Sequence, residues 1–375
     1  MRNLFFYGTL RDRSLLEIVM GASGDALDVT PAVLPDFVVS SVAEGPFPMI
    51  ERAAGAGAKG VLVRGLTQSQ IARLDFYEGG FGYDLCRVTL EDGQDAEVYL
   101  PHEGLWTGKG PWALTDWQAE WGALSRHAAV EVMGYMGQRS RDEVACMFPR
   151  IRARAAAQVN AQASRHGAGT LQGHVQMDHH QRVYSNFYAL DEMRMRFEQF
   201  DGGLSEQVER AVFVGSDAAI VLPYDPVRDR VLLIEQVRMG PLARGDKSRW
   251  QLEPIAGAVD PGETPQTAAR REALEEAGLT LGSIIPVSEV YASPGNSTEF
   301  YYIYLGLADL PDDVTGIGGL DSETEDIRSH LMSFDGLMEL VDGMGAANAP
   351  LVLVTYWLAR HRDGLRLAKA ADTPE

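Results

Sequence analysis

Three glutamates stand at i, i+3 and i+4 in the run Arg271-Glu272-Ala273-Leu274-Glu275-Glu276-Ala277-Gly278-Leu279. On a helix that spacing brings all three carboxylates to one side, where like charges cost a few tenths of a kcal/mol per exposed pair. A cation among them removes that repulsion. Hard carboxylate oxygens suit Mg²⁺ or Mn²⁺, ions that keep waters and bridge to phosphate. The chemistry this permits is neutralisation of a phosphate, activation of a water and transfer of its proton to a carboxylate. The supporting helix has its own signals: Thr264 as N-cap, Pro265 at the first helical position and Gly278 as the left-handed residue that ends it. Ala269, Ala273, Ala277 and Leu274 supply its packing contacts.

The rest of the chain must position that helix. With 375 residues the chain has room for two domains or three. Its 45% hydrophobic and 23% charged residues are those of a globular protein. No apolar run reaches the ~18 residues of a membrane span, and the N-terminus lacks the apolar core of an export signal, so a cytoplasmic protein is expected. Cys86 and Cys146 stand apart with no metal-ligand spacing, which fits a reducing compartment. The formal charge is −20, of which −4 falls in residues 1–169 and −16 in 170–375. Such a field repels nucleic acid.

Short apolar runs at 3–7, 61–63, 87–90 and 96–100 predict a β-rich start, followed by a helical pattern from Trp112 to about Arg165. The basic stretch 150–165 is expected to be a solvated or interdomain helical face. Gly167 and Gly169 mark a boundary. Further strands are predicted at 175–177, 183–190, 211–213, 218–222 and 231–236, with a turn at Asp225-Pro226, and a last helix at about 350–361. The domains are therefore expected at 1–110, 111–169 (a helical connecting segment) and 170–375. His179-His180 lacks a third ligand at useful spacing and is expected to be a polar surface pair.

The segment from Gly257 through Glu263 to Leu279 matches G-x5-E-x7-R-E-U-x-E-E-x-G-U, with Ala273 as the first apolar position, and so resembles the Nudix box. The resemblance implies an α/β/α sandwich and hydrolysis of a nucleoside diphosphate linked to another group. It implies Glu272, Glu275 and Glu276 as metal ligands with the Ala256 carbonyl, Glu263 as support for the loop, and Arg271 as an orienting partner of a box carboxylate. Over roughly 175–367 the chain is similar to the ADP-ribose pyrophosphatase branch, carried by VLPYDPVRDRVLLIEQVRMG, WQLEPIAGAVDPGE, YASPGNSTEF and GGLDSETEDIRSH. In that branch a late-loop glutamate is the general base or a further ligand, and Glu323 and Glu325 both match. Arg238 is a candidate for the diphosphate and Glu299 for the ribose or a metal. The branch implies a homodimer, Mg²⁺ or Mn²⁺ as cofactor, and AMP and ribose 5-phosphate as products. The alternatives are another nucleoside diphosphate sugar or a dinucleotide as substrate, or a sensor that binds without turnover.

The N-terminal half carries Phe5-Phe6-Tyr7-Gly8-Thr9-Leu10-Arg11, whose backbone N–H groups at 8–10 can cradle a carboxylate. With Leu74-Asp75-Phe76-Tyr77-Glu78-Gly79, Tyr83 and Arg87-Val88 it resembles the γ-glutamylcyclotransferase-like family over about 3–105, which implies a small β-barrel with helices packed on it. There Glu78 matches the glutamate that takes a proton from the substrate amine, and Tyr7, Gly8, Thr9 and Leu10 match the binding loop. The extra glycine in 78–83 departs from the pattern, and a ligand-binding or purely structural role stands level with catalysis. Fusions of this kind resemble proteins labelled as tellurite-resistance factors.

Overall fold

The computed structural model describes residues 1–21, 27–79, 82–162, 173–320 and 324–371. The chain divides into two compact units, Met1–Gln172 and Gly173–Glu375.

In the first unit, strands β1 (Arg2–Phe6), β2 (Asp28–Val42), β3 (Pro48–Leu66), β4 (Tyr83–Thr89), β5 (Asp95–Pro101) and β6 (Gly108–Pro111) form one sheet in the order β4-β5-β1-β3-β2-β6. Its helices are α1 (Arg13–Met20), α2 (Gln68–Glu78), α3 (Leu114–Trp117), α4 (Ala123–Gly134) and α5 (Arg141–Gln162). The period of two along β1 sorts its side chains. Leu4 and Phe6 join the helices in one core cluster, whereas Phe5 and Tyr7 join Leu34, Phe37, Ile50, Leu62 and Val98 in another drawn from the strands and the β4–β5 turn. A sheet face packed on itself has to curl, and Glu91 N–H donates to Val33 O at 3.0 Å across that curl. The result is the expected barrel-like sheet with helices on its outer face.

Helices α3 to α5 do not hang between units. Trp117, Leu124, Val132 and Ile151 share a core cluster with Leu4 and Leu15. Nor is α5 a solvated basic face: Arg154 is 3% exposed and its guanidinium reaches Glu131 Oε1 at 2.5 Å. A guanidinium is buried where a carboxylate meets it, a pairing that one-dimensional charge patterning does not reveal.

The second unit opens with a three-stranded sheet, β7 (Val175–Ser185), β8 (Ala189–Phe197) and β9 (Val208–Val214). The predicted strand 183–190 is in fact a corner: Asn186 N–H bonds Tyr188 O at 2.8 Å and turns the chain between β7 and β8. His180 lies 2.7 Å from the buried Asp191 carboxylate, which Arg182 also grips.

The main sheet comprises β10 (Asp217–Asp225), β11 (Arg230–Val237), β12 (Trp250–Glu253), β13 (Ile255–Ala258), β14 (Ile284–Tyr291), β15 (Phe300–Leu307), β16 (Ile317–Gly318) and β17 (Ile327–Ser333). Helix α6 (Met239–Arg244) follows β11, α7 (Pro265–Ala277) follows β13, and α8 (Phe334–Asp342) and α9 (Ala349–Ala371) close the chain. Ala219, Val221, Leu232 and Ile234 meet Ala268, Ala269 and Ala273 of α7 on one face. Ile220, Leu222, Val231 and Leu233 meet Leu337, Leu351, Val354 and Leu358 of α8 and α9 on the other. Both faces are covered, so β10 and β11 read as near-continuous apolar runs. Strands β10 and β11 pair only at Tyr224↔Val231 and Asp225↔Arg230, then part. β13 pairs with β10 and β12 with β11 inside the split. That wedge carries Ala256 to the flank of α7, where its N–H meets Glu276, and Glu253 to Arg238 and Asn348.

Candidate active site

Helix α7 begins where Thr264 Oγ1 accepts from Thr267 N–H, has Pro265 in its first turn, and ends at Gly278 with φ 64°. These caps set the angular positions of Glu272, Glu275 and Glu276. Arg271 is the hub of the motif. Its guanidinium donates to Glu272 Oε1 at 2.6 Å, Glu275 Oε2 at 2.9 Å, both oxygens of Glu263 at 3.2 and 3.0 Å, and Ala258 O at 3.0 Å. Glu263 also accepts from Asp260 N–H at 3.3 Å, which ties down the loop ahead of the helix. Glu263 is thus bonded both to the loop and to Arg271, and Arg271 bonds the carboxylates of Glu263, Glu272 and Glu275.

Glu276 faces elsewhere. It is 3% exposed and accepts from Ala256 N–H at 3.2 Å. Burial pushes its pKa up to about 8, and the neighbouring charges of Glu272 and Glu325 push in the same direction. Burial likewise raises Glu272 to about 7 against the pull of Arg271, with Glu275 and Glu325 adding to the rise. Glu272, Glu276 and Glu325 therefore share one electrostatic centre, whereas Glu275 is engaged on the Arg271 side. Glu325 is held by Leu320 N–H at 3.1 Å. Glu323 lies outside the described residues. Among those described, no three acidic, imidazole or thiolate groups already surround a single point.

Arg238 stands between β11 and α6 and reaches the wedge. Its Nε donates to Glu253 Oε2 at 2.7 Å, and Asn348 Nδ2 donates to the other Glu253 oxygen at 3.0 Å. The charge of Arg238 lowers the pKa of both Glu276 and Glu299. Glu299 is half-buried, its pKa raised by burial and eased by the Tyr301 hydroxyl at 3.2 Å. Ser293-Pro294-Gly295 forms a turn closed by Ser297 N–H on Ser293 O at 3.0 Å. Glu253, 6% exposed, escapes the sequence reading. Its only signal is a charge in the apolar setting Leu252-Glu253-Pro254-Ile255.

In the first unit a cavity of about 300 Å³ is lined by Tyr7, Gly8, Thr9, Leu10 and Glu78 together with aromatic side chains. Glu78 ends α2, and burial pushes its pKa up to about 7. Its charge is felt by Tyr7, Tyr77, Tyr83 and Tyr99. The loop at 44–48 is fixed over the cavity: Trp117 Nε1 donates to Pro46 O at 2.8 Å, and Phe47 meets Trp106 edge-on at 4.9 Å. Gly80 and Phe81, in the stretch that departs from the family pattern, lie outside the described residues.

Residues 216–352 match the NUDIX domain family, and residues 4–119 match the family described as Gamma-glutamyl cyclotransferase, AIG2-like. The ADP-ribose pyrophosphatase of Escherichia coli strain K12 is 41% identical over 186 residues, 49% of this chain and 87% of that one. The chain belongs to the Nudix hydrolase family. The ADP-ribose pyrophosphatase of Haemophilus influenzae is 34% identical over 180 residues, 48% of this chain and 82% of that protein. A GDP-mannose pyrophosphatase of Yersinia pestis is 31% identical over 156 residues, 42% and 78% of the respective chains.

Nudix hydrolases use divalent metal ions, and the site suits one. A carboxylate as buried as Glu276, facing other carboxylates, is stable in its ionised form only with a cation supplied. The donors are all hard oxygens. Room for Glu272 comes from Gly257, where a Cβ would stand 1.9 Å from the Glu272 carboxyl carbon. With Glu272 in the metal-binding role expected from the box, Gly257→Ala should lower kcat by about a hundredfold, because displacing a positioned group by an ångström costs that much. The obstacle is the end of a side chain, so stability should fall by only about 1 kcal/mol. Steady-state kinetics and thermal melts check both, and unchanged kcat would contradict the close approach.

Proposed function

We propose that the C-terminal unit hydrolyses the pyrophosphate of ADP-ribose to AMP and ribose 5-phosphate, with Mg²⁺ or Mn²⁺ as its ion. The observation that carries the substrate is the 41% identity across 87% of a protein named ADP-ribose pyrophosphatase. The carboxylates around α7 support the chemistry. Glu272, Glu275, Glu276 and the Ala256 carbonyl hold the ion. When bound, the ion neutralises phosphate charge and lowers the pKa of water. Glu325 takes the water's proton, Glu323 being the alternative base. Arg238, aimed by Glu253, pairs with the diphosphate as a planar fork, and Glu299 receives the ribose. The 31% identity to a GDP-mannose pyrophosphatase favours one rival substrate. A hydrolysis panel decides: kcat/KM for ADP-ribose should exceed that for GDP-mannose by about tenfold or more, and the reverse order would reject the assignment.

The unit further acts as a homodimer in this reading. Val175, Met177, Tyr184, Phe187 and Tyr188 on and between β7 and β8 are all at least 45% exposed, an apolar face suited to a second copy. Light scattering showing a monomer at micromolar concentration would contradict it.

For the N-terminal unit we propose γ-glutamyl cyclotransfer, with Glu78 as the proton acceptor. A carboxylate with pKa about 7 is poised for that work near neutrality. The rate of 5-oxoproline formation should rise with pH through about 7 and vanish in Glu78→Gln. Stability carries the opposite sign. The folded state holds the Glu78 proton beyond its ordinary value of 4.5, so its contribution is full below 4.5 and is lost as pH rises through 7. Wild type should therefore lose Tm relative to Glu78→Gln between pH 5 and pH 8. Parallel profiles would show that Glu78 is not a buried, titrating base.

A further inference from the structure

The wall of the N-terminal cavity reaches beyond the segment that matches the cyclotransferase family. Ser125 of α4 and Phe148 and Arg152 of α5 line it, yet the match ends at residue 119. Helix α5 is a rigid support: Ile151 and Ala155 sit in the core, and Arg154 is buried on Glu131. Arg152 lies over the Trp121 ring with its guanidinium carbon 5.3 Å from the centroid, a planar cation braced on an aromatic face. Among the described lining residues it is the one cationic side chain, while ten of the twenty are aromatic. The acidic lining groups are Glu44, which accepts from Thr107 N–H at 3.1 Å, and Glu78. Apolar walls strengthen whatever ion pair forms inside them.

We propose that this cavity takes γ-glutamyl amino acids whose leaving residue has an aromatic or bulky apolar side chain, with Arg152 pairing with that residue's free carboxylate. The γ-glutamyl half of the ligand rests on the cyclotransferase reading above; the leaving half is selected by walls this chain adds for itself. The substrate α-amine nitrogen attacks the γ-carbonyl carbon, forming the ring C–N bond while the amide C–N bond to the leaving amino acid breaks. The proton lost by the amine passes to Glu78 and then to the departing nitrogen. The products are 5-oxoproline and the free amino acid, with no water, oxidant or reductant consumed. Arg152 is thus a specificity-determining contact, and its fork suits a carboxylate better than an ammonium does.

Calorimetry on the full chain at pH 5.5, where Glu78 is protonated and turnover is suppressed, tests the contact with three probes: γ-glutamyl-phenylalanine, its C-terminal amide and γ-glutamyl-glycine. Wild type should bind the first about tenfold or more tighter than either other probe. Arg152→Gln should remove the preference for acid over amide and leave amide binding within about twofold, which also shows that the variant is folded; Arg152→Lys should fall between. Equal binding of acid and amide, equal loss of both in Arg152→Gln, or no binding of any probe would overturn the assignment. Turnover at pH 8 separates the two ideas. The expected binding pattern without 5-oxoproline release rejects catalysis and keeps the ligand, whereas release from γ-glutamyl-glycine as efficient as from γ-glutamyl-phenylalanine rejects the ligand and keeps catalysis.

Discussion

With Glu276 in its proposed role as a metal ligand, Glu276→Gln is expected to lower kcat for the proposed ADP-ribose hydrolysis by roughly a hundred- to a thousandfold, and to abolish the rise in Tm expected of the wild type with Mg²⁺. The substitution keeps the shape and an oxygen to accept from Ala256 N–H, so the wedge formed by β12 and β13 has no reason to move. What it removes is the charge. In the metal-free protein that charge is a burden, because Glu276 is buried and the charges of Glu272 and Glu325 outweigh that of Arg238. Folding raises its pKa from 4.5 to about 8, so its contribution to stability is full below 4.5 and is lost as pH rises through 8. The glutamine variant escapes that loss and should match or exceed wild type in a melt with chelator at pH 8. With the ion present the order reverses, since a ligand at a hundred times its Kd adds about 2.7 kcal/mol only to the protein that binds it. Full hydrolysis by the variant, or the same Mg²⁺-induced Tm rise in both proteins, would remove Glu276 from the metal site.

How far the sequence reveals this depends on how local each cause is. Helix α7 is legible from Thr264, Pro265 and Gly278 because capping acts within one turn, and its structural bounds are those the caps imply. The central strands β10 and β11 are legible because burial on both faces leaves unbroken apolar runs. The β2–β3 hairpin is not. Of its two strands, 15 and 19 residues long, only 61–63 stands out, since Pro31, Pro35, Gly55, Gly57 and Gly60 mimic loop composition. What tolerates them is non-local: Gly60 packs against the Phe5 ring and the Phe6 carbonyl, so closely that a Cβ there would lie 2.4 Å from both. The site divides the same way. The spacing of Glu272, Glu275 and Glu276 is a property of one helix, whereas the separation of Glu275, engaged by Arg271, from Glu276, engaged by Ala256, depends on the β12–β13 wedge. Glu253 matters through Asn348 as well as Arg238, and Arg152 through walls drawn from the far end of its unit, contacts that no short window of sequence contains.

Arg271→Ala should have the largest effect on stability, because one guanidinium answers three carboxylates. Its removal strips Glu263 of two donors and Glu272 and Glu275 of one each, and leaves Ala258 O without its side-chain donor. Breaking a fully buried pair costs about 3–5 kcal/mol, but Arg271 and Glu275 are each 29% exposed and solvent recovers part of that, so about 2–3 kcal/mol is expected. For a unit of this size that lowers Tm by about 5–10 °C. Arg271→Lys keeps the charge and still recovers less than half, since one ammonium cannot span three carboxylates and a carbonyl that a planar fork meets together. Millimolar Mg²⁺ should return part of the lost Tm by neutralising Glu272 and Glu275, while kcat stays depressed because Glu263 and the loop it holds then keep only the bond from Asp260 N–H. A surface arginine would behave otherwise: Tm within 1 °C of wild type in both variants, with unchanged kcat, would mean that the carboxylates are organised by the fold alone and not by Arg271.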